Sequence, residues 1–471
     1  MKSNFTYAIF ISFLIFSFNK TYSQDFMSGK GDAEFIFNEA KTPCLTVAQR
    51  EQIKSQLQYN VNVLKQQNKL AYNEAHKVGG HVLFVWPLQQ APAFNYNDTW
   101  AISGYVDHNT AFPNQLLDYN CGSITYDTAS GYNHQGLDIY LWPFSWKQMD
   151  DSQTEIIAAA AGQIINKGDG QFDRSCNFNN NTWNAVYVQH NDGSIAWYGH
   201  MKNGSVTSKN IGDMVSVGEV LGTVGSSGNS TGPHLHFEVY TDNSYTQLVD
   251  PYYGNCNSMN VDSWWLNQKP YSNPNINAAL THTDNPIVFP TCPTAETTYE
   301  SNTFELGDTI YLTAFLRDQV AGTNLSVQIL RPDNSSFYSS SFNTTTTSSS
   351  WYYYWYFNSF DAIGDWKWQV TYEGQTVTHL FTIQTLGIDE NELQTVAVYP
   401  NPTTSNIYIS SGNQIITKVK IVDIHGKIIK TITNNVDGIT TVNLEDISNG
   451  LYFLSLESTT NQKKTIKVIK A

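Results

Sequence analysis

The chain has 471 residues, which is long for a single hydrophobic core and predicts about three or four domains. Its formal net charge is −15, from 26 basic and 41 acidic side chains, so it is a poor candidate for binding nucleic acid or an anionic membrane surface. Its five cysteines include no Cys-x-x-Cys pair, which argues against a cysteine-type zinc site.

Residues 1–23 have the organisation of a secretory signal peptide. Lys2 precedes an apolar run from Ala8 to Phe18, and a small residue lies directly before Gln24. The run is too short to span a bilayer comfortably, so we expect cleavage and no stable membrane span afterwards, with a membrane anchor as the alternative. We therefore expect a secreted or cell-surface protein.

Disulfides are permitted outside the cytoplasm, so the cysteines are candidates for pairing. We favour the pairs Cys256–Cys292 and Cys121–Cys176, which leave Cys44 as a spare thiol. Spacing alone does not fix the connectivity.

The N-terminal segment, residues 24–80, is predicted to contain a helix from Thr46 to His76. Thr46 and Gln49 form a capping box, and apolar residues recur at helical spacing at Ile53, Leu57, Val61 and Leu64. We expect this helix to pack against the following domain. The alternative is a latency segment that covers a cleft.

The most informative stretch runs from Ser227 to Val239. Its second half is rich in β-branched and aromatic residues and predicts a strand, which places His234 and His236 on one face. Leu235 and Phe237 should then face a core. Two imidazoles about 6.5 Å apart along a strand could share a metal or divide its chemistry.

Two further motifs precede this stretch. His134 and Asp138 are about 13 Å apart in an extended chain, too far for one zinc, but Gly136 allows the backbone to fold between them. Tyr198-Gly199-His200 ends another strand-like segment; Tyr198 is interpreted either as a cleft residue or, at least as readily, as a core aromatic.

The three motifs that carry His134, His200 and His236, together with Gly212 to Gly222, resemble the M23 family of zinc metallopeptidases, the lysostaphin-like or LytM-like peptidoglycan endopeptidases. The resemblance covers roughly residues 80–252, within a predicted domain at 81–255. Carried over by position, it implies one catalytic Zn²⁺ held by His134, Asp138 and His236, with His200 and His234 as the catalytic pair.

The resemblance implies hydrolysis of peptide bonds in peptidoglycan cross-links or Gly-rich proteins. Three protein ligands leave a fourth position for water, whose pKa zinc lowers, while one imidazole moves protons and another stabilises the oxyanion. The residues do not say whether His200 or His234 is the base. The alternative is a catalytically silent LytM-like protein that binds peptidoglycan or regulates another hydrolase.

Local patterns predict further elements of this domain. Val82 to Leu88 should open it with a strand, and Asn191 to Gly193 should form a hairpin turn. Loops at Trp142 to Trp146 and Asp169 to Asn181 look like insertions, and we expect them to shape a substrate groove.

A composition rich in Asn, Pro and Ser predicts a linker at 256–296, and short aromatic and β-branched runs then predict a β-sandwich at 297–388. The expected strands are Thr309 to Leu316, Leu325 to Leu330, Trp351 to Phe357, Trp366 to Tyr372 and Thr376 to Ile383. The run Trp351 to Tyr356 is interpreted as a carbohydrate-binding platform or, more simply, as half core and half surface.

Residues 393–471 resemble the C-terminal sorting domain of the type IX secretion system of Bacteroidetes. The resemblance rests on Tyr399-Pro400-Asn401-Pro402, Asp423 to Lys427, Gly450-Leu451-Tyr452 and a basic end. It implies the secretion machinery as a partner and export across the inner and outer membranes. The fold expected for the whole chain is mainly β and multidomain: an antiparallel LytM-like domain with an N-terminal helix, a β-sandwich and a C-terminal β-sandwich sorting domain.

Overall fold

The computed structural model describes residues 28–37, 42–73, 79–92, 94–286, 295–385, 395–411, 415–433, 438–459 and 462–471. The predicted signal peptide and Cys292 lie outside these ranges. The described chain is mostly strand with two helices, which confirms the predicted mainly β class. Neither of those helices has the length and apolar character needed to cross a membrane.

The elements before the predicted sandwich are two helices and twelve strands. In chain order they are β1 Ser28–Glu34, α1 Val47–Gln66, β2 Leu88–Gln90, β3 Trp100–Gly104, β4 Leu137–Leu141, α2 Ser145–Asp150, β5 Thr154–Ile157, β6 Gly162–Gly168, β7 Ala185–Gln189, β8 Ile195–Gly199, β9 Met214–Val215, β10 Val220–Thr223, β11 His234–Tyr240 and β12 Leu248–Val249.

An eight-stranded antiparallel sheet forms the frame of this region. Its order is β3-β4-β11-β8-β7-β6-β9, with β12 added to β11, and a three-stranded sheet β10-β5-β2 lies beside it in the fold. Leu235 and Phe237 of β11 are fully buried in the main hydrophobic core, as the alternation predicted. The β7–β8 hairpin turns at Gly193, which has a φ of 93°.

Two predicted elements of this region are shorter than expected. The capping box of α1 is confirmed, because Gln49 N–H donates to Thr46 Oγ1 at 3.2 Å and Thr46 N–H donates to Gln49 Oε1 at 2.9 Å. The helix ends at Gln66, ten residues before the predicted His76, and Asn68 then adopts a left-handed φ of 52°. The predicted strand from Val82 to Leu88 is wrong apart from Leu88, which opens β2.

The second group of strands builds the sandwich. They are β13 Asn275–His282, β14 Thr303–Glu305, β15 Ile310–Gln319, β16 Asn324–Leu330, β17 Ser336–Asn343, β18 Ser348–Phe357, β19 Gly364–Tyr372 and β20 Gln375–Gln384. The five strands expected from the sequence are all present. The two sheets have the orders β1-β18-β15-β13 and β14-β20-β19-β16-β17.

Strands from outside the predicted sandwich complete its first sheet. β13 pairs with β15 along its whole length, so residues 275–282 belong to the sheet and not to a linker. β1 pairs with β18 in an unbroken register from Ser28 to Glu34. The aromatic strand β18 is therefore an interior strand, and its residues Tyr353, Trp355 and Phe357 lie in the core between the sheets.

The loop after β4 packs the region of the eight-stranded sheet against the sandwich. Trp142 is buried, its Nε1–H donates to the carbonyl of Leu316 at 3.0 Å, and its ring contacts Phe315 edge-on. The prediction that Trp142 to Trp146 shape a substrate groove is therefore wrong, because this loop is covered by the neighbouring domain.

The cysteines pair differently from the prediction. Cys121 forms a disulfide with Cys256, and Cys176 is also disulfide-bonded, so both predicted pairs are wrong. Cys44 is free and buried, as expected for the spare thiol.

The C-terminal unit begins after Ile383 and forms its own core. Its strands are β21 Ala397–Tyr399, β22 Asn406–Ser410, β23 Ile416–Asp423, β24 Ile428–Ile432, β25 Ile439–Asn443, β26 Gly450–Ser458 and β27 Lys463–Lys470. They form sheets of order β21-β22-β25 and β24-β23-β26-β27. Apolar residues of both sheets share one hydrophobic cluster, which is the predicted sandwich architecture.

Candidate metal centre

Strand pairing places Asp138 beside His236. β4 runs antiparallel to β11, and Asp138 is the residue directly opposite His236 in the register. Cross-strand partners have neighbouring side chains on one face of the sheet. Asp138 Oδ1 accordingly lies 2.8 Å from His236 Nδ1.

The segment before β4 brings His134 to the same point. His134 Nε2 lies 3.1 Å from Asp138 Oδ2, and the rings of His134 and His236 are 5.3 Å apart between centroids. Gly136 is needed here because there is no space for a side chain, in addition to the backbone freedom that glycine provides. A Cβ at that position would lie 2.5 Å from His236 Cε1, so any side chain would displace the ring.

His200 and His234 form a second pair next to these three residues. Their ring centroids are 4.2 Å apart, and both side chains are buried. His200 follows β8 with a left-handed φ of 62°, so its direction is set by this turn rather than by the strand alternation. Tyr198 is a core aromatic, because its hydroxyl accepts a hydrogen bond from the buried amide of Ala159 at 2.9 Å.

Hydrogen bonds to carbonyl oxygens fix the tautomers of three of these histidines. A carbonyl only accepts, so each Nδ1 carries the proton: His134 donates to Tyr105 O at 2.7 Å, His200 to Ser227 O at 2.6 Å and His234 to Gly232 O at 2.9 Å. Among the described residues, the buried Nε2 atoms of His134 and His200 make no well-formed hydrogen bond, and that of His134 faces the Asp138 carboxylate at 3.1 Å. Buried nitrogens without a partner are costly unless they bind a ligand.

His236 is held by a different contact. Its Nε2 lies 3.0 Å from Glu238 Oε2, which leaves Nδ1 aimed at the carboxylate of Asp138. Glu238 in turn forms a buried ion pair with Arg50 of α1. A carboxylate on the outer nitrogen of a histidine is the usual support of a metal ligand, since it fixes the orientation of the ring.

The donor set fits a divalent metal such as zinc. His134, Asp138, His236 and Cys44 each offer one atom, and all four atoms lie within 4.8 Å of one another. The Nδ1 lone pair of His236 faces a carboxylate oxygen of Asp138 at 2.8 Å. Their mutual repulsion must be offset by a positive charge between them, either a proton or a cation. Nitrogen and oxygen ligands of this kind are those of catalytic zinc sites.

Cys44 reaches this centre from the N-terminal segment. Its Sγ lies 3.7 Å from His236 Nδ1 and 3.4 Å from the hydroxyl of Tyr126, and only 4% of the residue is exposed. Cys44 also belongs to a second ligand-type cluster with His200 and His234. The thiol therefore lies between the two groups of histidines.

The charges of the centre favour ionised Asp138 and neutral His200. Burial raises the pKa of Asp138, but the neighbouring His134 and His236 outweigh burial and hold that pKa well below its ordinary value. Burial lowers the pKa of His200, and the adjacent His234 lowers it further. Neutral His200 with a free Nε2 is able to accept a proton.

All five residues proposed from the sequence therefore meet in one place. The sequence reasoning missed Glu238, although it follows His236 by two residues on the same strand face and the alternation could have identified it. It also missed Arg50, and it interpreted Cys44 only as a spare thiol, because these residues reach the centre through contacts with residues about 190 positions away along the chain.

Comparison with known families identifies two parts of the chain. Residues 133–251 match the model of peptidase family M23, and residues 397–471 match that of a secretion system C-terminal sorting domain. The first match contains all five histidine and aspartate residues of the centre. The second coincides with the C-terminal unit.

Individual relatives match over short stretches. The chain is 35% identical over 85 residues to the peptidoglycan DD-endopeptidase ShyC of Vibrio cholerae serotype O1, covering 18% of this chain and 19% of that relative. It is 30% identical over 124 residues to the glycyl-glycine endopeptidase ALE-1 of Staphylococcus capitis, covering 26% and 29% respectively. The chain therefore spans less than a third of the length of either relative.

Among solved structures, the catalytic domain of lysostaphin from Staphylococcus simulans matches with 25% identity and a TM-score of 0.19. The match covers 27% of this chain and 83% of that domain. The family models carry the assignment, and they agree with the resemblances inferred from the motifs. The chain thus contains a peptidase family M23 domain, whose homologues are lysostaphin-like endopeptidases, and a C-terminal sorting domain of the type IX secretion system.

Proposed function

We propose that this protein is an exported zinc-dependent endopeptidase that hydrolyses peptide bonds in peptidoglycan cross-links. One observation carries the proposal: Asp138 and His236 face each other across paired strands, and their ligand atoms and that of His134 lie within 4.8 Å of one another. The named activities of the relatives, an endopeptidase of peptidoglycan and one of glycyl-glycine bonds, indicate the substrate class.

In this proposal His134, Asp138 and His236 hold the zinc through Nε2, a carboxylate oxygen and Nδ1. When bound, zinc lowers the pKa of a bound water towards about 7 and polarises a peptide carbonyl. Glu238 keeps His236 oriented through the contact at Nε2.

His200 and His234 supply the proton transfers. The Nε2 of His200 is buried, has no hydrogen-bond partner among the described residues, and belongs to a ring adjacent to that of His234. His200 can accept a proton at Nε2 from the attacking water and return it to the leaving amine, while His234 stabilises the developing oxyanion. The opposite division of these two roles fits the same geometry.

The sorting domain supports export through the type IX secretion machinery to the cell surface or the medium. Such a location gives the enzyme access to extracellular peptide substrates. Gly-rich peptides are a second substrate class to test, because one relative is named for glycyl-glycine cleavage.

The test is digestion of purified peptidoglycan and of a Gly-rich peptide, with fragment masses as the readout. Because Cys44 lies among the same atoms, the enzyme is assayed in a Cys44→Ala background, with and without His236→Ala. We expect cleavage that requires His236 and is lost on chelation, whereas His425→Ala, an exposed change in the C-terminal unit, retains activity. Binding of peptidoglycan without any cleavage would support the silent alternative.

A further inference from the structure

The catalytic centre is closed in this structure. His134, His200 and His236 have no exposed surface, and Asp138 and His234 are at most 5% exposed. A polymeric substrate must bring a peptide bond within about 3 Å of the reacting groups. The centre therefore has no room for a substrate unless the segment that covers it moves.

Cys44 occupies the position that a substrate would need. Its Sγ belongs both to the cluster of His134, Asp138 and His236 and to the cluster with His200 and His234. In a tetrahedral zinc site a sulfur and a nitrogen ligand lie about 3.5 Å apart, given bond lengths of about 2.3 and 2.0 Å. The observed separation from His236 Nδ1 is 3.7 Å.

We propose that Cys44 is the fourth ligand of the metal and that the N-terminal segment keeps the enzyme latent. This inference rests on the proposed function, since it concerns the same zinc. Ligation replaces the S–H bond with a metal–sulfur bond and releases the proton to solvent, so no oxidant is needed. A thiolate in this position excludes both the water and the substrate carbonyl.

The segment that covers the centre is anchored on both sides, through residues 28–37 and through residues 42–50. On the N-terminal side, β1 forms an edge strand of the sandwich, and Gly29 and Gly31 lie against Tyr356 and Tyr354, where a Cβ would come within 2.5 Å of either ring. On the C-terminal side, Arg50 of α1 pairs with Glu238. Cys44 is thus held from two directions.

Contacts between the anchors place the segment against the motifs that carry the proposed catalytic residues. Asn229, in the turn before β11, donates from Nδ2 to Thr42 Oγ1 at 3.0 Å and to the carbonyl of Pro43. The ring of Phe37 stacks on Tyr140 at 4.6 Å and meets the edge of His234 at 5.6 Å. These contacts use the turn and the histidine that the catalytic proposal needs for substrate.

The direct test is X-ray absorption at the zinc edge of the full-length chain. We expect one sulfur at about 2.3 Å together with nitrogen and oxygen ligands at about 2.0 to 2.1 Å. Cys44→Ala should lose the sulfur shell and keep the zinc. The control Val47→Ser, at a residue 81% exposed, should keep both.

Hydrolysis provides the second readout. Cys44→Ala should digest peptidoglycan about tenfold or more faster than the wild type. The state that admits substrate then no longer competes with a state in which the thiolate binds the metal. Thiol reagents should label Cys44 slowly in the zinc form and rapidly after chelation.

The outcomes separate this inference from the proposed function. Zinc bound only by nitrogen and oxygen in the wild type would overturn the ligand assignment and leave the peptidase proposal standing. A sulfur shell without faster hydrolysis by Cys44→Ala would overturn latency. A wild-type chain that binds no zinc would overturn both proposals.

Discussion

His236 and Asp138 occupy directly opposed positions on antiparallel strands, with Nδ1 and Oδ1 2.8 Å apart. The register of β4 and β11 thus places two of the three proposed zinc ligands side by side without help from a loop. A shift of one residue would turn one of these side chains to the core face.

Gly136 is predicted to be essential for the placement of His236. In Gly136→Ala the new Cβ would lie 2.5 Å from His236 Cε1 and 3.0 Å from the carbonyl oxygen of Phe237, so the ring must move. We expect zinc affinity to fall by about tenfold or more, measured by competition with a chelator. Gly79→Ala, where a Cβ meets nothing within 4 Å, is the matched control. Equal affinity in the two variants would show that the ring is not held by this contact.

His200→Ala is expected to retain zinc and lose turnover. Its Nε2 is placed for proton transfer and is not among the proposed ligands, so kcat should fall by about 10² to 10⁴-fold in the Cys44→Ala background. Tyr198→Phe removes a hydroxyl that accepts a hydrogen bond from the core amide of Ala159, and it should retain turnover. Normal turnover in His200→Ala would refute its catalytic role.

Removal of Arg50 is expected to destabilise the fold strongly. Arg50→Leu leaves the Glu238 carboxylate buried without its cation, which costs about 3–5 kcal/mol of unfolding free energy in chemical denaturation. Arg331 pairs with Asp361 at 2.7 Å at a partly exposed position, so Arg331→Leu should cost less than about 1 kcal/mol. Similar losses in both variants would contradict the importance of burial at Arg50.

His282 is predicted to make the sandwich sensitive to acid. Burial, together with a smaller effect of the nearby His379, lowers its pKa from 6.5 to about 4. The fold binds the neutral ring through Thr298 O at 2.7 Å and Thr313 Oγ1 at 2.9 Å. Its contribution is therefore complete above pH 6.5 and is lost as the pH falls towards 4, by up to about 3 kcal/mol.

The check compares unfolding free energies at pH 7 and pH 4.5. His282→Gln should lose less stability between these values than the wild type, and the exposed change His425→Gln should lose as much as the wild type. The same acid loss in His282→Gln and in the wild type would mean that protonation of His282 is not responsible.

Much of the architecture could be predicted because it depends on local patterns. Alternation along β11 correctly directed His234 and His236 to one face and Leu235 to the core. Thr46 and Gln49 fixed the start of α1, and short aromatic runs marked the sandwich strands. The motif spacings were sufficient to assign the candidate ligands to one predicted site.

The remaining features depend on contacts between distant parts of the chain. Nothing local indicates that Ser28–Glu34 should pair with β18 or that Cys121 should bond to Cys256, 135 positions away. The loop at Trp142 was predicted to shape a substrate groove, because its aromatic residues do not indicate that the sandwich covers it. Cys44 could be counted as a spare thiol, but only the fold places it at the metal centre.

The central claim is that His134, Asp138 and His236 bind one zinc ion. The most direct measurement is the metal content of the purified chain after dialysis, compared between Cys44→Ala and the double variant Cys44→Ala/His236→Ala, so that the thiol cannot replace the lost ligand. The account predicts one zinc per Cys44→Ala chain and almost none in the double variant. A Cys44→Ala chain without zinc, or a double variant that keeps a full equivalent, would contradict it.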